Sequence, residues 1–174
     1  MNPTIHQAEA KDREAVGTVC RRVLADDPTY LYELNIGVPG CLNLVAEEDG
    51  VIVGYASVVL RRWDARGRFV WQRVAPYLAF IGVVPEKQRR GIGELLLRAT
   101  ISAAAAQCPD EPRLYLEHHR QNATAKRMFE RMGFRHMSRE DVQRETGLRP
   151  TNEVMCFELA IFRASRQAAP PQGN

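Results

Sequence analysis

A chain of 174 residues fits one domain of ordinary size, and a domain this long buries about 70% of its unfolded surface without needing a disulfide or metal staple. Apolar residues at 45% and charged residues at 26% exclude a disordered or collagen-like chain, and a net charge of +3 is too small to argue for a nucleic-acid partner. No apolar run approaches the roughly 18 residues of a membrane span, and the first ten residues lack the apolar stretch of a signal peptide, so a cytoplasmic protein away from membranes is expected.

Thr4 to Ala8 reads as a strand, and Asp12 to Ala25 as an amphipathic helix carrying Val16, Val19, Cys20 and Val23 at i, i+3, i+4, i+7. Asp26, Asp27 and Pro28 end it, and Thr29 to Gly40 holds either a short second helix or an irregular connection. Cys41 to Glu47 and Val51 to Leu60 form a hairpin, because Asp49-Gly50 supplies the positive φ of a tight turn. Arg61 to Arg68 is expected as a solvated loop before strand character resumes over Phe69 to Val84.

Arg90 to Gln107 predicts a helix with Ile92, Leu95, Leu96, Ala99 and Ala103 on its buried face, stopped by Pro109 and Pro112. Arg113 to Glu117 alternates as a strand. Asn122 to Met132 predicts a short helix closed by Gly133 at the left-handed C′ position. Phe134 to Ser138 and Val154 to Ile161 read as final strands joined by a polar connection, Arg139 to Asn152. The charge-free tail from Ala168 to Asn174 is expected to fray, leaving residues 1–167 as the domain. The order is a mixed α/β pattern without internal repeats.

Cys20, Cys41, Cys108 and Cys156 form no CxxC pair or cluster and are expected as reduced, partly buried thiols. His118 and His119 are adjacent, so in a strand they face opposite sides and make no metal pair; no metal is expected.

One segment carries chemistry. Val83-Val84-Pro85-Glu86-Lys87-Gln88-Arg89-Arg90-Gly91-Ile92-Gly93 runs from a strand through a basic, glycine-containing turn into a helix. The first N–H groups of a helix lack internal partners, the macrodipole adds positive potential, and glycine lets a ligand approach the backbone closely. A pyrophosphate fits such a cradle, with Lys87, Arg89 and Arg90 as mobile counter-charges. It is neither a Walker loop, lacking GK[ST], nor GxGxxG, since Leu96 stands where the third glycine would be.

Gln88 to Gly93 resembles the QxxGxG signature of the GCN5-related N-acetyltransferase (GNAT) family. Leu116-Glu117, Asn122, Ala125, Phe129 and Gly133-Phe134 are similar to that family's LE…N, NxxAxxLY and Gly-Phe elements. The resemblance covers roughly residues 4 to 162. It implies one mixed, mostly antiparallel sheet of six to seven strands flanked by about four helices, with splayed central strands. It also implies acetyl-CoA as co-substrate and direct attack by an amine acceptor, a small molecule or a peptide, in a ternary complex; a catalytically silent acyl-CoA-binding module is the alternative, and a homodimer is compatible with it.

Carried over by the resemblance, Ile81, Gly82, Val83 and Val84 would pair with the pantetheine arm, and Gln88, Arg89, Arg90, Gly91, Ile92 and Gly93 would hold the pyrophosphate. Asn122, Lys126 and Phe129 would complete the coenzyme site. Glu117 corresponds to the glutamate base of relatives acting on protein N-termini. Tyr77 takes the place of the glutamate of histone-type relatives and is a second catalytic candidate. Tyr30 and Glu33 would meet the acceptor. The family's proton-donating tyrosine is here Phe129, which has no proton to give.

Overall fold

The computed structural model describes residues 3–24, 32–60, 76–146 and 152–168. Seven strands form one sheet: β1 (Thr4–Gln7), β2 (Cys41–Glu48), β3 (Val51–Val59), β4 (Tyr77–Val83), β5 (Arg113–His118), β6 (Arg135–His136) and β7 (Glu153–Glu158). Their spatial order is β1-β2-β3-β4-β5-β7-β6, and among the described residues only the β4/β5 pair is parallel. Five helices flank it: α1 (Arg13–Val23), α2 (Ile92–Gln107), α3 (Ala123–Arg131), α4 (Arg139–Thr146) and α5 (Leu159–Ala168). The mixed α/β sheet expected from the sequence is present.

Local chemistry explains the elements that the sequence announces. Asp49 and Gly50 have φ of 54° and 77°, so both central residues of the β2–β3 turn take the positive φ that matches strand twist. Asn122 caps α3, its side-chain oxygen accepting the Ala125 N–H at 3.0 Å, and Gly133 follows the helix at φ +90°. At the end of α2, Arg163 of α5 donates to the cap carbonyl Cys108 O at 3.1 Å and, in the turn that follows, to Glu111 O at 2.7 Å.

The core lies in two layers. Leu96, Leu97, Ile101 and Ala104 of α2 pack on one sheet face with Leu42, Val58, Leu114, Leu116, Met155 and Leu159. Val16, Val19 and Cys20 of α1 cover the other with Val45, Tyr55, Phe80 and Val83. A bulge divides β4 between these layers. Ser57 pairs with Phe80 while the next residue, Val58, pairs with Leu78, so Ala79 is the extra residue. The insertion reverses alternation: Leu78 faces α2, and two residues later Phe80 faces α1.

Several expectations need correction. On α2, Ile92 and Leu96 are buried as expected and Ala99 and Ala103 pack against the core, but Leu95 is 40% exposed, and Leu97, Thr100, Ile101 and Ala104 are buried beside them. The buried Thr100 hydroxyl is satisfied by Leu96 O at 2.8 Å, which lets a polar residue sit on the core stripe. The Val154 to Ile161 run is not one strand, because β7 ends at Glu158 and α5 begins at Leu159. Helical spacing then buries Leu159 and leaves Ile161 68% exposed, parting a pair that a continuing strand would place on one face. Within the polar connection lies α4, and only a 3-10 turn, Tyr32–Asn35, is described between α1 and β2. The expected loop at Arg61 to Arg68, the start of the Phe69 run and the tail past residue 168 lie outside the described residues.

Candidate active site

The bulge opens the sheet. Of β4's residues only Tyr77 and Leu78 pair with β5, opposite Tyr115 and Leu116; from Ala79 onward β4 has no β5 partner. The β5-facing backbone edge of Phe80 to Val83 is therefore bare, beside Glu117 and His118 of β5. An extended chain bearing amide groups fits such an edge by adding main-chain hydrogen bonds.

At the end of β4 the chain turns through a 3-10 segment, Pro85–Lys87, into α2. Two left-handed residues shape this turn, Arg89 at φ 58° and Gly91 at φ 81°, the latter serving as N-cap. Leu95 N–H donates to Gly91 O at 3.0 Å, so the N–H groups of Ile92, Gly93 and Glu94 precede the first intrahelical bond. Gln88 closes the turn from behind, its amide donating to Val83 O at 2.9 Å. Gly93 is packed closely, since a Cβ there would stand 3.3 Å from Met128 Sδ. Gly82 is tighter, with a Cβ falling 2.8 Å from both Phe80 Cζ and Val23 Cγ1.

The electrostatics of the turn differ from expectation. Lys87 and Arg90 are not mobile counter-charges; both bind Glu48 at the end of β2, with Arg90 reaching its two oxygens at 2.8 and 3.1 Å. The Glu48 side chain is only 3% exposed. Lys87, then Arg90, holds its carboxyl below the ordinary carboxylate range. Among the described residues, Arg89 is the cation of the turn that makes no ion pair. A second clamp ties the turn to α1, where Arg22 grips both oxygens of Glu86 at 2.7 Å. Glu48 was missed by sequence reasoning because it lies 39 and 42 positions from its partners.

Beyond the splay, Tyr77, Tyr115 and Glu117 share the sheet face that α1 covers, since Leu78, Leu114 and Leu116 point to the opposite one. Glu117 and Tyr77 are half-buried. Tyr115 donates to Glu145 of α4 at 3.3 Å, and burial, followed by the Glu145 charge, pushes its phenol up. On the same face Tyr32 stacks on Phe80 at 4.9 Å between ring centroids. Next to it, Glu33 has one carboxylate oxygen buried without a hydrogen-bond partner. Tyr30 lies outside the described residues.

On the α2 face the remaining coenzyme candidates are engaged within the protein. The Asn122 side chain caps α3, Lys126 Nζ lies 3.9 Å from Glu153 Oε2, and Phe129 is 4% exposed in the core beside Phe134 and His118. The Val84 N–H donates to Val53 O at 2.9 Å and is thereby spent on β3. Ile81 packs against the α2 cluster, and Ile92 is buried.

A strand splayed from its parallel neighbour and ending in a left-handed basic turn at a helix N-terminus defines a class. The acetyltransferase (GNAT) family model matches residues 5–134, and the chain belongs to that family. Among particular proteins it is 32% identical over 103 residues to a mycothiol acetyltransferase of Nocardia farcinica (strain IFM 10152), a match covering 59% of this chain and 29% of that protein. The chain thus spans under a third of that relative's length. Its fold is that of the ribosomal-protein-S18-alanine N-acetyltransferase from Escherichia coli, with a TM-score of 0.68 and 22% identity over 99% of both chains. A PaiA N-acetyltransferase from Thermoplasma acidophilum, solved in complex with coenzyme A, matches with a TM-score of 0.66 and 15% identity over 91% of this chain and 99% of that one.

Proposed function

We propose that the chain is an acetyl-CoA-dependent N-acetyltransferase that acetylates a primary amine of a small molecule or a peptide N-terminus while both substrates are bound. The observation that carries the reading is the bare edge of β4 leading directly into the αL turn at the start of α2. Acetyl-CoA supplies an activated acyl thioester; the chain supplies binding, orientation and proton handling.

The turn's N–H groups hold the pyrophosphate, Gly91 giving the backbone its left-handed bend and Arg89 adding charge. The edge of Ile81 to Val83 aligns the pantetheine arm. Glu48 acts by fixing Lys87 and Arg90, so the cradle is built before the ligand arrives and costs less ordering on binding.

An acceptor amine must be neutral to attack. A lysine-type amine with pKa about 10.4 is neutral in about one part in 2,500 at pH 7, a handicap near ~4.6 kcal/mol, whereas an α-amine of pKa about 8 has a handicap of only about 1.4 kcal/mol. Glu117, on the α1 face of the splay, takes the proton, directly or through water. Phe129 cannot return one to the leaving thiol, whose pKa near 8.5 makes departure as thiolate tolerable. Tyr115 is held protonated by burial and by Glu145, and Tyr77 beside it offers a second phenol. Glu33, with an unpaired carboxylate oxygen beside the Tyr32 ring, suits a cationic acceptor.

The test is release of free thiol from acetyl-CoA across polyamines, aminoglycosides, amino acids and peptides beginning in alanine, alongside thermal shift with coenzyme A and ATP. Stabilisation by coenzyme A with thiol release for one acceptor class supports the reading. Stabilisation without release for any amine would identify a silent binder, and the absence of both would overturn the family function for this chain. Glu117→Gln is expected to lower the rate with a lysine-type acceptor about 10²-fold or more and to alter the acidic limb of the pH profile, where a general base is protonated and idle. An unchanged profile would reassign the base.

A further inference from the structure

His118 cannot pair with His119, but the sheet brings it to other partners. His118 is the register partner of Glu153 across β5/β7, and His136 is the partner of Met155 across β7/β6. Glu153 and Met155 are two apart in one strand, so His118, Glu153 and His136 project from the same sheet face on three neighbouring strands. One ligand atom from each lies within 4.8 Å of the others.

The spacing within this group is unusual for hydrogen bonding. Glu153 Oε2 is 3.5 Å from His118 Nε2 and 3.7 Å from His136 Nδ1, each beyond good hydrogen-bond length. His118 is only 6% exposed, yet its Nε2 has no hydrogen-bond partner, and neither does Glu153 Oε2. Two buried polar atoms that face one another and stop short of bonding leave an unmet requirement. Tetrahedral zinc, with bonds of about 2.0–2.1 Å to nitrogen and oxygen, separates adjacent ligand atoms by about 3.4 Å. The two nitrogen-to-carboxylate separations are close to that value.

The groups behind the two histidines have the matching polarity. His118 Nδ1 faces the His119 carbonyl at 3.2 Å and must donate to it, so the neutral ring, the form that binds a metal, carries its lone pair on Nε2, on the side of Glu153. His136 Nε2 faces Glu130 of α3 at 3.4 Å, which favours the proton there and the lone pair on Nδ1. Outer partners of this kind fix the tautomer of metal-binding histidines. A charge that does lie beside the carboxylate is Lys126, 3.9 Å away on a flexible and partly exposed stem that can swing into solvent. A pocket whose lining includes Arg120, Arg139, His136, Asn152 and Glu153 opens beside the carboxylate, so a fourth, exchangeable ligand can reach the ion from that side.

We propose that His118, His136 and Glu153 form a binding site for a divalent transition ion of the zinc class. Two imidazoles and one carboxylate suit zinc or its first-row neighbours and not magnesium or calcium, which take all-oxygen shells. Bound there, the ion joins β5, β7 and β6 at one end of the sheet and takes Glu153 from Lys126, returning that lysine to the surface of α3. The inference is independent of the acyltransfer reading.

The experiment uses untagged, chelator-treated full-length protein titrated with zinc by calorimetry and with cobalt(II) by visible absorption. One ion per chain is expected, with the intense visible bands of tetrahedral cobalt and without the near-ultraviolet charge-transfer band of a thiolate ligand. Zinc, and not magnesium, should raise the melting temperature. His136→Ala and Glu153→Gln, both at partly exposed positions, should each weaken binding at least about tenfold while the far-ultraviolet spectrum stays native, since even outer-partner losses cost about 10–100-fold. No stoichiometric binding by the wild-type chain, a thiolate band, or wild-type affinity in either variant would overturn the assignment.

Discussion

Gly91 offers the cleanest quantitative test of the turn. It caps α2 at φ 81°, ψ −5°, and a Cβ added there would meet no atom within 4 Å. Replacing it by alanine therefore introduces no collision, and the cost is purely conformational. A non-glycine residue in the left-handed region costs about 1–2 kcal/mol, offset by about 0.4–1 kcal/mol because alanine stiffens the unfolded chain. The net expectation for Gly91→Ala is a destabilisation of about 1 kcal/mol, or about 2–4 °C in melting temperature for a chain of this size. Gly91→Asn should recover part of the loss, since asparagine tolerates this region. Gly93→Ala is the control: it sits in helical conformation, and its only close contact is the flexible Met128 thioether at 3.3 Å, so stability should stay within about 0.5 kcal/mol. Urea unfolding at constant slope reads all three. If Gly91→Ala proved as stable as the wild type, or Gly93→Ala the worse of the two, the left-handed cap would be wrong.

The Glu48 clamp predicts an acid-sensitive fold. Because Lys87 and Arg90 depress the folded-state pKa of Glu48, its contribution is present above the ordinary carboxylate pKa near 4.3 and fades as pH falls through the lowered value. Glu48→Gln should lower stability at neutral pH and flatten that acid limb in urea midpoints measured between about pH 3 and 6; parallel limbs for the two proteins would remove the clamp. Leu97→Ala, fully buried between α2 and the sheet, should cost about 2–5 kcal/mol in urea unfolding, and a loss under about 1 kcal/mol would mean that α2 does not pack as described. Burial pushes the Cys20 thiol up to about 12. A thiol reagent at pH 8 should therefore leave Cys20 unmodified until the protein unfolds, and fast labelling of Cys20 in the native state would contradict its place on the buried face of α1.

The reach of the sequence shows at particular residues. Asp49-Gly50, Asn122, Gly133 and the Gln88 to Gly93 turn announce themselves because a turn type, a cap or a left-handed backbone depends on a few consecutive residues. The start of α5 is different. Leu159, Ile161 and Phe162 follow a genuine strand, and a short apolar run does not separate a period of 2 from one of 3.6. On α2 only Leu95 misled, for a similar reason: Leu95 and Leu97 are equally apolar, and only the sheet beneath decides which is buried.

What the residues determine by themselves is the set of local conformations, together with the glycine-bearing basic turn that marks the family. Tertiary structure alone decides the rest: the extra residue Ala79 that parts β4 from β5, the pairing of Glu48 with cations 39 and 42 positions away, and the meeting of His118, His136 and Glu153. Each of these depends on which strands lie side by side and in what register. Register is fixed by burying two apolar faces at once, a requirement on the whole chain that no short stretch of it encodes.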